Sequence, residues 1–260
     1  PWYTQEGLEA AHSSNLMADW DHQKSDREAI AAWMQAPFHA IAILDPELSM
    51  VGYGSYREED GGVQMSAALD VLRGRQGVPG YVNFPIAWPG EGSTVPLLQF
   101  WGESPDPLTS CPGYSTPAGL PIYLQVGAGE HTPKVGSHSL KLDGQSLEHC
   151  VFSETTYKNP DANTQALGRA ILADRDAIVL IPKEPLKPGK TYPVSITADG
   201  QTYTVVGVVP AVPLLRIMPF GDIYVPVTTA KADTYRTQLL GDFMGLLLLA
   251  PGADVRAVQD

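Results

Sequence analysis

The sequence predicts a mixed α+β protein, and three observations support this fold class. Hydrophobic residues make up 43% of the 260 positions, which is enough for a sizeable core. Two segments near the N-terminus carry apolar residues at helical spacing. Beyond residue 121, short alternating runs separated by turns are typical of a β-sandwich. We therefore divide the chain into residues 1–125, 126–210 and 211–260.

The N-terminal segment reads as two helices followed by strands. Residues 4–19 have apolar residues at helix-compatible spacing. A second helix is predicted to begin at a capping box formed by Ser25 and Glu28, and Pro37 should end it. Two later segments alternate like strands, MVGYGSYRE (50–58) and VPLLQFWGE (95–103).

A stretch rich in Pro, Gly and Ser, residues 102–121, marks a boundary after this segment. The next segment contains four predicted strands: HSLKL (138–142), AIVLIP (177–182), TYPVSITA (191–198) and TYTVVGVV (202–209). The sequences LDGQ and ADGQ between strands are typical of tight turns. The last segment reads as one strand, a loop and a helical run, which predicts a short α/β tail.

The charge balance excludes several classes of partner. A net charge of −12 argues against nucleic acid, whose phosphates require Lys and Arg, and against an anionic membrane surface. The longest apolar run, residues 243–251, is too short to span a bilayer. The composition is common among secreted bacterial proteins. Because the chain begins at Pro1 without the features of a signal peptide, we expect a processed product or a fragment.

Cys111 and Cys150 are the two cysteines of the chain. Such a pair is usually a disulfide in an extracellular protein and two free thiols in a cytosolic one, and we expect the disulfide. The bond would close a loop of about 40 residues and stabilise the fold by about 4 kcal/mol. Two cysteines so far apart do not make a zinc knuckle.

Residues 29–54, AIAAWMQAPFHAIAILDPELSMVGYG, resemble the bacterial CAP superfamily (cysteine-rich secretory, antigen 5 and pathogenesis-related proteins). The positions that match its pattern are Trp33, Pro37, His39, Ile43-Leu44, Asp45-Pro46, Gly52 and Gly54. Phe38 and Ala40 stand where the family usually has Gly and Arg. The resemblance covers about residues 1–100 and implies an α-β-α sandwich truncated at its N-terminus. One sheet face would then lie bare, or another chain would cover it.

The CAP cavity can hold a metal on two histidines and two acidic residues, and His39 matches one of these histidines. The acidic motif of the family would fall at residues 13–15, which carry no carboxylate. Because a divalent site needs three or four ligands, we predict no metal site and no cofactor, with His39 as the one candidate ligand and His12 as a substitute. The resemblance implies a binding groove formed by Trp33, His39, His12, Ser14 and Asn15. A packed histidine at position 39 and a core tryptophan at position 33 are the alternatives.

Residues 134–210 resemble a bacterial Ig-like module, on the late-strand signature in VLIPKEPLKPGKTYPVSIT (179–197). The resemblance implies that Tyr192 anchors the edge of a β-sandwich. His131, His138 and His149 have no metal-ligand spacing in the sequence, and we expect them on the surface.

The segment RIMPFGD (216–222) resembles the first block of the SGNH (GDS-type) hydrolases, and Tyr235-Arg236 with Leu239 matches the later part of that block. The family places its nucleophilic serine after Gly-Asp, where this chain has Ile223. No oxyanion-hole residues or catalytic Asp-x-x-His follow before residue 260. The resemblance therefore implies a remnant or fragment of a secreted esterase, without a catalytic set.

Three hypotheses of function follow. The first is a secreted or cell-surface protein that binds a ligand without catalysis in a CAP-type groove around His39. The second is a structural subunit of an extracellular assembly, in which self-association or another chain completes the N-terminal elements. The third is an enzyme or an esterase remnant, which the absence of a complete catalytic set disfavours.

Overall fold

A computed structural model of the protein describes residues 4–59 and 61–208. The described helices are α1 (Gln5–His12), α2 (Asp26–Gln35), α3 (Pro37–Ile43) and α4 (Ala162–Ala173), with a 3₁₀ helix at Pro107–Ser110. The described strands are β1 (Ser14–Asp19), β2 (Gly52–Arg57), β3 (Met65–Asp70), β4 (Ile86–Trp88), β5 (Gln99–Phe100), β6 (Ala118–Gly119), β7 (Ile122–Gln125), β8 (Val135–Leu142), β9 (Gln145–Ser146), β10 (His149–Ser153), β11 (Ala177–Pro182), β12 (Thr191–Ala198) and β13 (Gln201–Val208). Within these ranges no helix has the length and apolarity that a membrane span requires. The hydrolase-like tail at 211–260, with Ile223, lies outside the described residues.

The start of α2 follows the predicted capping box. The Ser25 hydroxyl accepts a hydrogen bond from the Glu28 backbone N–H at 3.2 Å, and the Glu28 carboxylate accepts one from the Ser25 N–H at 2.8 Å. The helix ends at Gln35, before Pro37 as predicted. Pro37 then opens α3 at its first position, where the missing N–H costs no hydrogen bond.

Part of the first predicted helix is wrong. Residues 5–12 are helical, but residues 14–19 form β1, which pairs antiparallel with β3 from Ser14 opposite Asp70 to Asp19 opposite Met65. The segment is largely polar, so its helical pattern of apolar residues is weak. Pairing with β3 along the whole strand therefore decides its structure. The predicted strand at 95–103 is shorter than expected and covers Gln99–Phe100. The other predicted strands are confirmed as β2, β8, β11, β12 and β13.

Strands β1, β3 and β2 form an antiparallel sheet in that order, which we call the N-terminal sheet. Its inner face packs against α2 through a small core that includes Trp33, Ala29, Met65 and Leu69. Its outer face is exposed along β2, where all six residues are accessible to solvent. The sheet is therefore covered on one side within the described residues.

The other described strands form two four-stranded antiparallel sheets and the short pair of β5 and β6. The central sheet has the order β10-β11-β7-β4, and the C-terminal sheet has the order β13-β12-β8-β9. Alternate residues of the central sheet face opposite ways: Val179 packs towards α3 and α4, and Leu180 packs towards the C-terminal sheet. Because both faces are covered, all six residues of β11 are buried. Strands on both sides of residue 125, where we predict a domain boundary, share the central sheet.

Helices and antiparallel sheets together make the protein a mixed α+β fold, as predicted. The disulfide between Cys111 and Cys150 is also confirmed, and it joins the residue after the 3₁₀ helix to β10. Tyr192 is 3% exposed, and its hydroxyl accepts a hydrogen bond from the Lys187 N–H at 2.7 Å. That contact fixes the turn leading into β12.

Candidate functional site

His39 lies in the first turn of α3 and pairs with a carboxylate that the sequence did not indicate. Its Nδ1 is 2.7 Å from Oε2 of Glu103. The His39 side chain is 20% exposed, whereas the Glu103 side chain is 1% exposed. Glu103 also accepts hydrogen bonds from the backbone N–H groups of Phe38 and His39. A buried carboxylate thus replaces the side-chain cap that Ala36 cannot provide at the start of α3.

The electrostatics of this pair are set by burial. Burial raises the pKa of the Glu103 carboxyl above its usual value, and the hydrogen bond and charge of His39 act in the opposite direction. If Glu103 is ionised, its carboxylate accepts the proton on Nδ1 of His39. In the neutral ring, the other nitrogen, Nε2, is then left as an acceptor towards the accessible side.

Glu103 lies in the Pro- and Gly-rich stretch that we interpreted as a boundary. Gly102 precedes it with φ 139°, a backbone conformation that residues with a Cβ rarely adopt. This conformation allows the chain to turn the carboxylate inward. The signal in the sequence was a single acidic residue between Gly102 and a Pro-rich run, which by itself does not distinguish a buried partner from a solvated turn.

Asn15 and Trp33 connect α2, α3 and the N-terminal sheet. The Asn15 side-chain amide donates to the backbone carbonyl of His39 at 3.0 Å. Trp33 is 2% exposed, and its indole N–H donates to the carbonyl of Leu16 at 3.2 Å. Trp33 is therefore a core residue that holds β1 against α2, as in the alternative interpretation of this position.

Ser14 and His12 have separate roles in the structure. The Ser14 hydroxyl donates to the carbonyl of Ala10 at 2.7 Å, which satisfies the last turn of α1. His12 is exposed at the C-terminal end of the same helix. Within residues 4–59 and 61–208, no serine hydroxyl is hydrogen-bonded to the His39 ring, and no group of three or more His, Cys, Asp or Glu side chains is arranged to hold a metal.

The His39–Glu103 pair has two of the parts that acid–base catalysis uses, a base and a carboxylate that orients it. A nucleophile in contact with His39 is absent from the hydrogen bonds of the described residues. The arrangement can accept a hydrogen bond or a proton from a ligand at Nε2. It also stabilises the junction between α3 and the segment that follows β5.

A second feature lies on the outer face of the N-terminal sheet. An open groove of about 670 Å³ crosses its three strands. The lining residues are small or apolar: Leu16, Met17, Ala18, Gly54, Ser55, Tyr56, Ser66, Ala67 and Ala68. Leu16 is 52% exposed and Tyr56 is 50% exposed, so two large apolar side chains stand in solvent beside a floor of small ones.

The three histidines that we expected on the surface differ in their surroundings. His131 and His138 are exposed, whereas His149 is half-buried. The rings of His138 and His149 are in contact, with their centroids 5.0 Å apart. Partial burial, and after it the charge of His149, lowers the pKa of His138 below its usual value.

No protein-family model matches the chain. A comparison with curated proteins also finds no match. Function is therefore inferred from the chemistry of the sites themselves.

Proposed function

We propose that this protein is an extracellular binding protein without catalytic activity, built from a CAP-like domain and an Ig-like β-sandwich. The single observation that carries the proposal is the open apolar groove on the outer face of the N-terminal sheet. Large exposed apolar side chains beside a shallow floor are typical of surfaces that bind other molecules.

Several contacts support the CAP-like part of this proposal. Most of the residues that carry the resemblance lie on α2, α3 and β2, and the others directly follow α3. Trp33 joins α2 to β1, and Asn15 joins β1 to α3. The sheet has one covered face and one open face, which is the arrangement expected of an α-β-α sandwich without one outer layer.

The Ig-like part is supported by the two sheets that face each other across a shared core. This core contains Leu124 and Leu180 from the central sheet and Leu140 and Ile196 from the C-terminal sheet. Tyr192 closes the turn before β12 through its hydroxyl group. The strands of both sheets are antiparallel, and tight turns join some of the neighbouring strands, as in sandwich domains.

The chemistry of the groove indicates the class of ligand. Its walls offer apolar contact and few hydrogen-bonding groups, namely the Ser66 hydroxyl and the Tyr56 hydroxyl, which donates to Glu58 at 2.6 Å. The net charge of −12 repels anions at long range. We therefore assign the groove to an uncharged or cationic molecule with an apolar body, such as an apolar peptide segment or a small aromatic compound.

Substitution of Leu16 by Ser is expected to weaken binding of the uncharged probe N-phenyl-1-naphthylamine about tenfold, because about 1.4 kcal/mol of apolar contact is lost. Leu16 is half exposed, so the fold should tolerate the change. The measurement is a fluorescence titration of the full chain. Leu167→Ser on α4 is the matched control, since Leu167 is 53% exposed and lies outside the groove. Equal effects of the two substitutions, or no probe binding by the unaltered protein, would refute the proposal.

The second candidate function is a structural subunit of an extracellular assembly. The observation that favours it is the edge strand β2, which is exposed at all six residues and lies beside the same apolar face. Such an edge is a template for pairing with a strand of another chain. The esterase-remnant hypothesis rests on residues 211–260 and stays a prediction.

Light scattering behind size exclusion separates the two functions. An assembly subunit should elute at a multiple of 28.0 kDa under non-reducing conditions, and a binding protein at 28.0 kDa. Gly54→Lys should shift an assembly towards the single-chain mass, because a Cβ at Gly54 has open space around it and a lysine there disfavours edge pairing. A single-chain mass for the unaltered protein over the micromolar range would exclude the assembly.

A further inference from the structure

His138 and His149 lie 11 residues apart in the sequence and meet in the fold. His138 is on β8 of the C-terminal sheet, and His149 is the first residue of β10 in the central sheet. Nδ1 of His138 is 2.9 Å from Nε2 of His149. The contact therefore joins the two sheets of the proposed sandwich.

Strand periodicity explains why the two rings face each other. His138 is on the same side of β8 as Leu140, and His149 is on the same side of β10 as Val151. Leu140 and Val151 belong to the core between the sheets. The histidines occupy the next position along each strand, where that core opens to solvent.

A hydrogen bond also fixes the protonation of the second nitrogen of His149. Its Nδ1 lies 2.7 Å from the backbone carbonyl of Leu147, and a carbonyl can only accept, so Nδ1 carries the proton. In the neutral ring, Nε2 of His149 is consequently unprotonated, with its lone pair directed at His138. Histidines that bind metals commonly donate their other N–H to a backbone carbonyl in this way.

We propose that His138 and His149 form a two-histidine site for a late first-row divalent cation, which binds less tightly than in a site with three or four protein ligands, with Cu²⁺ bound most tightly of the series. Two nitrogens at a right angle, each about 2.05 Å from an ion, are about 2.9 Å apart, whereas tetrahedral ligands are about 3.3 Å apart. The observed separation of 2.9 Å equals this right-angle spacing, and a turn of each ring by about 45° directs its lone pair to the ion instead of to the other ring. The general order of affinity also places Cu²⁺ above Ni²⁺ and Zn²⁺.

Binding requires one proton to move and none to leave. In the metal-free pair, Nδ1 of His138 carries the proton between the rings and donates a hydrogen bond to Nε2 of His149. When an ion binds both nitrogens, that proton moves from Nδ1 to Nε2 of His138, which converts one neutral tautomer to the other. His138 is exposed, so water can exchange the proton and occupy the remaining coordination positions.

Titration of the full, disulfide-bonded chain with Cu²⁺ tests the site. Calorimetry measures the affinity, and electron paramagnetic resonance identifies the ligand atoms. We expect hyperfine structure from two nitrogens and a loss of affinity of at least about tenfold in His138→Ala and in His149→Ala. His131→Ala is the control and should leave the affinity unchanged, because this exposed histidine lies outside the pair. The affinity should fall in the order Cu²⁺, Ni²⁺, Zn²⁺.

The same titration can overturn the proposal. Unchanged affinity and nitrogen hyperfine structure in the double variant His138→Ala/His149→Ala would place the ion elsewhere on the chain. A loss of affinity in His131→Ala as large as in the paired variants would exclude a dedicated site. Since His138 is exposed, its alanine variant should fold, and far-UV circular dichroism verifies this before the titration.

Discussion

Replacement of Asp45 by Ala is expected to lower the free energy of unfolding by about 3 kcal/mol. The Asp45 side chain is 2% exposed, and its Oδ2 lies 2.8 Å from Nε of Arg75 and 3.0 Å from Nε of Arg175. These atoms are at ion-pair distance without the alignment of hydrogen bonds. The attraction is therefore chiefly between charges.

The size of the effect follows from the burial of Arg175. Its side chain is 3% exposed, so the charge is poorly solvated, and this burial lowers the pKa of the guanidinium group. When Asp45 is removed, the remaining ion-pair partner of Arg175 is Asp174, at 3.0 Å. The Asp174 side chain is half exposed. Removal of one partner from a buried pair costs about 3–5 kcal/mol, and the remaining partner places Asp45→Ala at the lower end of that range.

Urea denaturation measures the loss, and Glu148→Ala is the control. Glu148 pairs with Lys183 at 2.9 Å, but the Glu148 side chain is 64% exposed, so its removal should cost less than about 1 kcal/mol. The double variant Asp45→Ala/Arg175→Met should recover at least half of the stability lost in Asp45→Ala, because the unpaired charge is gone. An equal loss in the Asp45 and Glu148 variants would show that burial does not determine the strength of this ion pair.

Reduction of the Cys111–Cys150 disulfide is expected to lower the free energy of unfolding by about 4 kcal/mol, through the greater freedom of the unfolded chain. The two cysteines are 39 residues apart, and Cys111 is 1% exposed. The disulfide joins the loop before β6 to β10, at the core that contains α3 and α4. The measurement is the urea midpoint of the same preparation before and after treatment with dithiothreitol.

The variant Cys111→Ala/Cys150→Ala controls for effects of the reductant. Its midpoint should match that of the reduced protein and should not change when dithiothreitol is added. A midpoint of the unaltered protein that is insensitive to reduction, with thiol titration proving that the bond is broken, would contradict the expectation.

The sequence predicted elements whose signals are local. Ser25 and Glu28 are three residues apart and cap α2 by themselves, and Pro37 cannot continue a helix because it lacks an N–H. The turns at Asp143-Gly144 and Asp199-Gly200 have positive φ at both residues, as their sequences indicated. In each case the physical cause lies within four residues of the element.

The parts that the sequence did not predict depend on distant residues. Glu103 is 64 residues from His39 and becomes a partner only when the loop after β5 reaches the start of α3. His138 and His149 show no ligand spacing, because their contact depends on the packing of two sheets. Residues 14–19 have a helix-compatible pattern that pairing with β3 overrides.

The strand order of the central sheet also determines how early the sheet can form while the chain is being synthesised. Strand β11 lies between β10 and β7, so β7 has no partner on that side until residues 177–182 have left the ribosome. The core on α3 and α4 uses side chains from the same late strand, such as Val179 and Ile181. Nascent chains that end before residue 177 are therefore expected to expose apolar surface, since such non-local pairing comes late in folding.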